Sequence, residues 1–139
     1  MSSLDLIKNA DSHNHAVGAF NVILLEHAEA IISASESTGL STILQISENA
    51  IKYHGSLKPI VVATVALASQ SQVPVSVHLD HIENTDLIRE GLDLGVDSVM
   101  FDGSHLEYQD NVATSKKMAN LAHSYKATIE VELGEIGGK

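Results

Sequence analysis

An α/β fold with a parallel sheet is predicted by three observations. Short β-rich runs recur at intervals of roughly 25 to 30 residues. Each run is apolar on both faces, as strands buried beneath helices are. The longer segments between them carry apolar residues at helical period.

A leading helix is predicted over Ser3 to Asn9, with Ser2 or Ser3 as its cap. The first strand candidate is AVGAFNV (16–22), followed by a helix whose Leu24, Ala28, Ile31, Ile32 and Ser35 share one face. STILQIS (41–47) is the second strand. The stretch from Pro59 to Ser71 is apolar nearly all round and reads as a deeply packed helix. VPVSVHLD (73–80) then forms the third strand, and Leu87, Ile88, Gly91, Leu92 and Gly95 mark the next helix. DSVMFD (97–102) is the fourth strand. The helix from Asn111 to Tyr125 turns Val112, Met118, Ala119, Ala122 and Tyr125 inward, and ATIEVEL (127–133) is the fifth strand. No low-complexity linker interrupts the 139 residues, and the β-α repeat is architectural rather than a duplication of residues. One domain over 1–139 is expected.

Two architectures satisfy this pattern: an open, doubly wound sheet, or part of an eight-stranded barrel of ~250 residues. Length alone favours the open sheet. The Gly-rich GEIGGK directly after the fifth strand favours the barrel, because an open sheet more often ends with a helix covering its last strand.

Composition excludes several function classes. Eight Lys and Arg against 18 Asp and Glu give a formal charge of -10, the opposite of a nucleic-acid or anionic-membrane footprint. Without cysteine there is no thiolate metal site, so a transition metal must be held by the imidazoles of eight histidines and by carboxylates. The N-terminus has neither the basic nor the apolar part of a secretory leader, and no apolar run reaches the ~18 residues of a membrane span. A cytoplasmic protein is expected. No strand ends in lysine, which removes a Schiff-base amine, and no phosphate-cradling glycine motif is present.

Each strand candidate instead ends in polar groups: Asn21, Ser47, the pair Asp80 and His81, Asp102, and Glu130 with Glu132. Parallel strands share one carboxyl-end rim, where ligands bind. A hydroxyl or amide such as Ser47 or Asn21 is by itself more often the cap of the next helix. A carboxylate against a buried strand is costly unless paired or coordinated, which favours a functional Asp80-His81. His78 and His81 face opposite sides of a regular strand and could share a metal only if the strand bends; a packed His78 is the better reading. His105 reads as a loop residue, and His13, His15, His27, His54 and His123 are expected at the surface. Glu130 and Glu132 point to the same side, and two inward carboxylates call for a cation. The chemistry that remains is metal-assisted, with a nearby carboxylate moving a proton.

The string GAFNV, QISENA, VPVSVHLDH, GVDSVMFDGSH, YQDNVATSKKMANLAH and EVELGEIGG resembles, in order and spacing, the class II fructose-1,6-bisphosphate and tagatose-1,6-bisphosphate aldolases. The resemblance spans essentially the whole chain. It implies the N-terminal part of a (β/α)8 TIM barrel, a homodimer or larger when full length, that cleaves a small-molecule ketose bisphosphate with Zn2+ and in some members a second divalent metal. It implies that Asp80 transfers the proton, that His81 is the first zinc ligand, and that Asp102 and Glu132 match carboxylates of an alternative metal position. Ser47 matches a substrate-phosphate contact and Asn21 an amide beside the substrate. The family's other zinc histidines and main phosphate loops lie beyond the motifs matched here, so this polypeptide alone is expected to be inactive. The competing expectations are a non-catalytic half-barrel that pairs its open edges, and a metal-dependent phosphohydrolase on the same rim.

Overall fold

Strand order decides between the two architectures. In the computed structural model, which describes residues 3–134, β1 (Gly18–Asn21), β2 (Thr42–Ser47), β3 (Val75–Ile82), β4 (Ser98–Phe101) and β5 (Thr128–Val131) form one sheet. The strands are all parallel and stand in chain order, β1-β2-β3-β4-β5. A doubly wound sheet reverses its order at a switch point and takes helices on both faces. An unreversed run with right-handed crossovers keeps its connecting helices on one face, as a (β/α)8 barrel does. The barrel-type expectation is therefore the one the sheet follows.

The helices are α1 (Ser3–Ser12), α2 (Leu25–Thr38), α3 (Glu48–His54), α4 (Lys58–Gln70), α5 (Thr85–Asp93) and α6 (Tyr108–Ser124). Leu44, Ile46, Val77, Leu79, Val99 and Phe101 project from the strands into one cluster with Ala28, Ile32, Val61, Ile88, Leu92, Met118 and Ala122 of the helices. Each fully buried Val, Leu, Ile, Phe or Met of this cluster stabilises by about 1.5–3 kcal/mol. Side chains alternate along a strand, so the other face carries Gln45, Ser47, His78, Asp80 and Ser98. At the start of the strands α1 closes this polar face: Leu6 is buried, and the Ser3 hydroxyl meets that of Thr128.

Several local expectations change. Residues 48–54, unassigned from sequence, form α3, framed by the Ser47 side chain accepting from the Ala50 N–H and by Gly55 at φ 77. The Pro59 region is helical, but Val62 is 44% exposed and only Ile60, Val61 and Thr64 are buried. It packs on α2 and β3 with one face, so it is not deeply enclosed. Val112 in α6 and Tyr125 at its C-cap are exposed while Asn111, Met118 and Ala122 are buried. Leu24, just before α2, is likewise exposed. Ser3 is already helical, and Ser2 lies outside the described residues, as does the Gly-rich segment 135–139. No described helix is long and apolar enough to cross a membrane.

Candidate functional site

The end of β3 departs from a regular strand at one residue. The pairing of β3 with β4 shifts register between Leu79 and Ile82, and His81 takes φ 50, in the left-handed region. In an unbroken strand Asp80 and His81 would face opposite sides. Here the His81 Nε2 lies 4.0 Å from the Asp80 Oδ2, so the bend brings both groups to the same rim.

The other side of the His81 ring faces acids from the next two strands. Its Nδ1 is 3.3 Å from the Asp102 Oδ2 and 3.4 Å from the Glu132 Oε2. Asp102 and Glu132 are buried, while the His81 side chain is 46% exposed. One ligand atom from each of the three lies within 4.8 Å of the others. Two atoms bound at ~2.1 Å to a tetrahedral ion stand roughly 3.4 Å apart, close to both measured separations. Imidazole nitrogen and carboxylate oxygen are also the donors a divalent transition metal takes where thiolates are absent. The residues present fit such an ion.

These positions are fixed by hydrogen bonds from neighbouring loops and helices. Both the N–H and the hydroxyl of Ser104 donate to the Asp102 Oδ1, which leaves Oδ2 turned to His81. The buried Asn111 amide donates to the Gly103 carbonyl at 2.9 Å and to the Glu132 carbonyl at 2.8 Å, tying the ends of β4 and β5 together. Gly103 is required by this closeness, since a Cβ there would stand 2.6 Å from the Asn111 Oδ1. On the other flank the Glu48 carboxylate accepts from the backbone N–H groups of Glu83 and Asn84 at 2.8 and 3.0 Å, holding the loop after His81. Its pKa lies below the ordinary value. Burial is the largest influence and pushes upward, but the hydrogen bonds from Asn84, Lys52 and Glu83 together outweigh it.

Of the residues singled out from sequence, His81, Asp102 and Glu132 converge, with Asp80 beside them. Ser47 pairs with Asp80 in strand register and caps α3, so the capping role is real. Asn21 ends β1 as an exposed residue opposite Gln45. Glu130 shares the inner face with Thr128 but is exposed and stands outside the cluster, so the expected pair of inward carboxylates reduces to Glu132. His78 is packed, as expected: it is 2% exposed, with Nδ1 on the Ser98 hydroxyl at 2.7 Å. His105 lies in an exposed loop. The surface histidines have local duties, such as the His27 Nδ1 accepting from the N–H groups of Ile23 and Leu24 at the start of α2. Asn111, Ser104 and Glu48 were not identified from sequence.

Comparison with known proteins covers the same ground. The fructose-bisphosphate aldolase class II family matches residues 1–139. A fructose-bisphosphate aldolase of Thermus caldophilus is 37% identical over 138 residues, covering 99% of this chain and 45% of that protein. One from Staphylococcus aureus (strain Mu50) is 36% identical over 141 residues, covering 100% of this chain and 49% of that protein. The chain thus spans about half the length of the curated relatives it matches. The structure of the YdjI aldolase of Escherichia coli K12 superposes with a TM-score of 0.86 at 23% identity, covering 96% of this chain and 52% of that one, a likeness of fold. Because the family match takes in every strand end that supplies the cluster rather than one motif, the chain belongs to the class II fructose-bisphosphate aldolase family.

Proposed function

We propose that this chain carries the proton-transfer group and part of the metal site of a zinc-dependent ketose-bisphosphate aldolase. The reaction is the reversible cleavage of fructose 1,6-bisphosphate to dihydroxyacetone phosphate and glyceraldehyde 3-phosphate. The observation that carries this reading is the bend at His81, which sets an imidazole between a carboxylate pair and Asp80.

His81, Asp102 and Glu132 would hold the ion, which when bound supplies Lewis-acid polarisation of substrate oxygens. Asp80 is the base. Its side chain is 14% exposed, so a substrate hydroxyl can reach it while most water is excluded. It takes the proton of the C4 hydroxyl during cleavage and returns it during synthesis. Ser47 stands beside it on β2. Because the Ser47 oxygen accepts from the Ala50 N–H, its own proton is left to donate to a substrate oxygen. The exposed Asn21 amide offers a further donor along the same rim.

The test is a coupled assay of retro-aldol cleavage on the intact protein. Asp80→Asn is expected to lower kcat by ~10²–10⁴, the usual worth of a positioned acid or base. Chelation should abolish turnover and zinc should restore it. Release of inorganic phosphate in place of a triose would overturn the reading in favour of a phosphohydrolase.

A further inference from the structure

A line of four side chains runs beneath Asp80 from the opposite end of the strands. Ser3, Thr128, Ser98 and His78 come from α1, β5, β4 and β3, and Ser3, Ser98 and His78 are each no more than 3% exposed. The hydroxyls of Ser3 and Thr128 are hydrogen-bonded. The Thr128 hydroxyl donates to the Ser98 oxygen at 3.0 Å, and the Ser98 oxygen is 2.7 Å from the His78 Nδ1.

Each hydroxyl has one proton, which gives the line a direction. Thr128 spends its proton on Ser98 and therefore accepts from Ser3. Ser98 already accepts from Thr128, so its own proton is available for His78. If the His78 Nδ1 carried a proton too, two donors would face the Ser98 oxygen. The buried Ser98 proton would then have no acceptor among the described residues, a loss of about 1–3 kcal/mol. Nδ1 is thus the acceptor, and the proton of the neutral ring sits on Nε2. That Nε2 is buried with no hydrogen-bond partner among the described residues. The Asp80 Oδ1 lies 3.7 Å away, beyond a hydrogen bond but within a small rotation of the carboxylate. Such contacts are commonly long before substrate binds.

We propose that His78 is a positioning residue for Asp80, locked as the Nε2–H tautomer by the directed chain Ser3, Thr128, Ser98. Its N–H draws the Asp80 Oδ1 toward the sheet and leaves Oδ2 on the His81 side, free to receive the substrate proton. Without that hold the Asp80 carboxylate would be free to turn toward a cation held by His81, Asp102 and Glu132, and would be lost as a base. The consequence for turnover rests on the aldolase reading given above; the tautomer does not.

The decisive measurement is the ¹⁵N spectrum of the intact protein with labelled histidine. His78 is expected to show a neutral ring protonated at Nε2, and Ser98→Ala should abolish that single-tautomer signature. In the assay, Ser98→Ala and His78→Phe should lower kcat roughly 10- to 100-fold, the usual effect of removing a supporting partner, with KM little changed. His78→Gln, which restores a donor toward Asp80, should recover part of the loss. A His78 ring protonated at Nδ1, or a tautomer and kcat untouched by Ser98→Ala, overturns the inference. Ser98→Ala serves where His78→Phe does not fold. Release of inorganic phosphate in place of a triose, with the Nε2–H tautomer intact, strikes the aldolase reading alone, and aldolase turnover with the Nδ1–H tautomer strikes this inference alone.

Discussion

Asn111 serves two strands with one amide, bonding the carbonyls of Gly103 and Glu132 from inside α6 while the Ser115 hydroxyl donates to its Oδ1. Asn111→Ala removes one donor from each of two carbonyls, the Gly103 carbonyl keeping the Leu106 N–H, and opens a cavity. It is expected to cost about 2–4 kcal/mol in chemical denaturation and to weaken metal binding by calorimetry, because the ends of β4 and β5 carry Asp102 and Glu132. The sequence hid this residue for a physical reason. Its stripe on α6 runs Asn111, Ser115, Met118, Ala122, half of it polar, so apolar period alone placed Val112 inward and rotated the helix by one position. Asp102 and Glu132 were legible because a carboxylate ending an apolar strand has few bland explanations. The bend that joins His81 to Asp80 was not legible, since nothing in the string HLDH states a backbone angle.

At the scale of elements, α3 and the loop after β3 are coupled by Glu48. Depressed in the fold relative to an ordinary glutamate, its pKa gives stability that is present above pH ~4.5 and lost as pH falls through the lower folded value. Glu48→Gln is therefore expected to destabilise by about 1.5–3 kcal/mol at neutral pH, the worth of hydrogen bonds to a charged group. In thermal melts taken down the pH scale the two proteins should converge in acid; a constant gap at every pH would exclude this origin. The α3 helix had sequence marks at both ends, Ser47 and Gly55, but only seven residues between them. With so short a span there is little apolar period to read. The five strands were plain because each carries apolar residues at β-rich density, although the edge strands β1 and β5 are largely exposed here, and their bounds shifted by no more than two residues.

For the molecule as a whole, the sequential parallel order is what delivers residues from β3, β4 and β5 to one cluster, since neighbours in sequence become neighbours in the sheet. The element pattern was therefore enough to foresee a shared rim, while the order that distinguishes barrel from open sheet required the structure. An ion held by His81, Asp102 and Glu132 would join three elements, and would make folding and metal binding a linked equilibrium. Zinc at 100 times its dissociation constant is expected to stabilise the fold by about 2.7 kcal/mol, seen as a Tm that climbs with zinc concentration. His81→Ala should flatten that dependence. A Tm indifferent to zinc in the wild type would remove His81, Asp102 and Glu132 as a ligand set.

The left-handed backbone at His81 has an evolutionary price tag of its own kind. A non-glycine residue held there gives up about 1–3 kcal/mol of foldedness, so His81→Gly should relieve that strain while losing the imidazole between Asp102 and Glu132 and the capacity to bind metal. Screens that reward only solubility or heat resistance would drive this position toward glycine or asparagine. Selection for turnover would hold histidine against that drift.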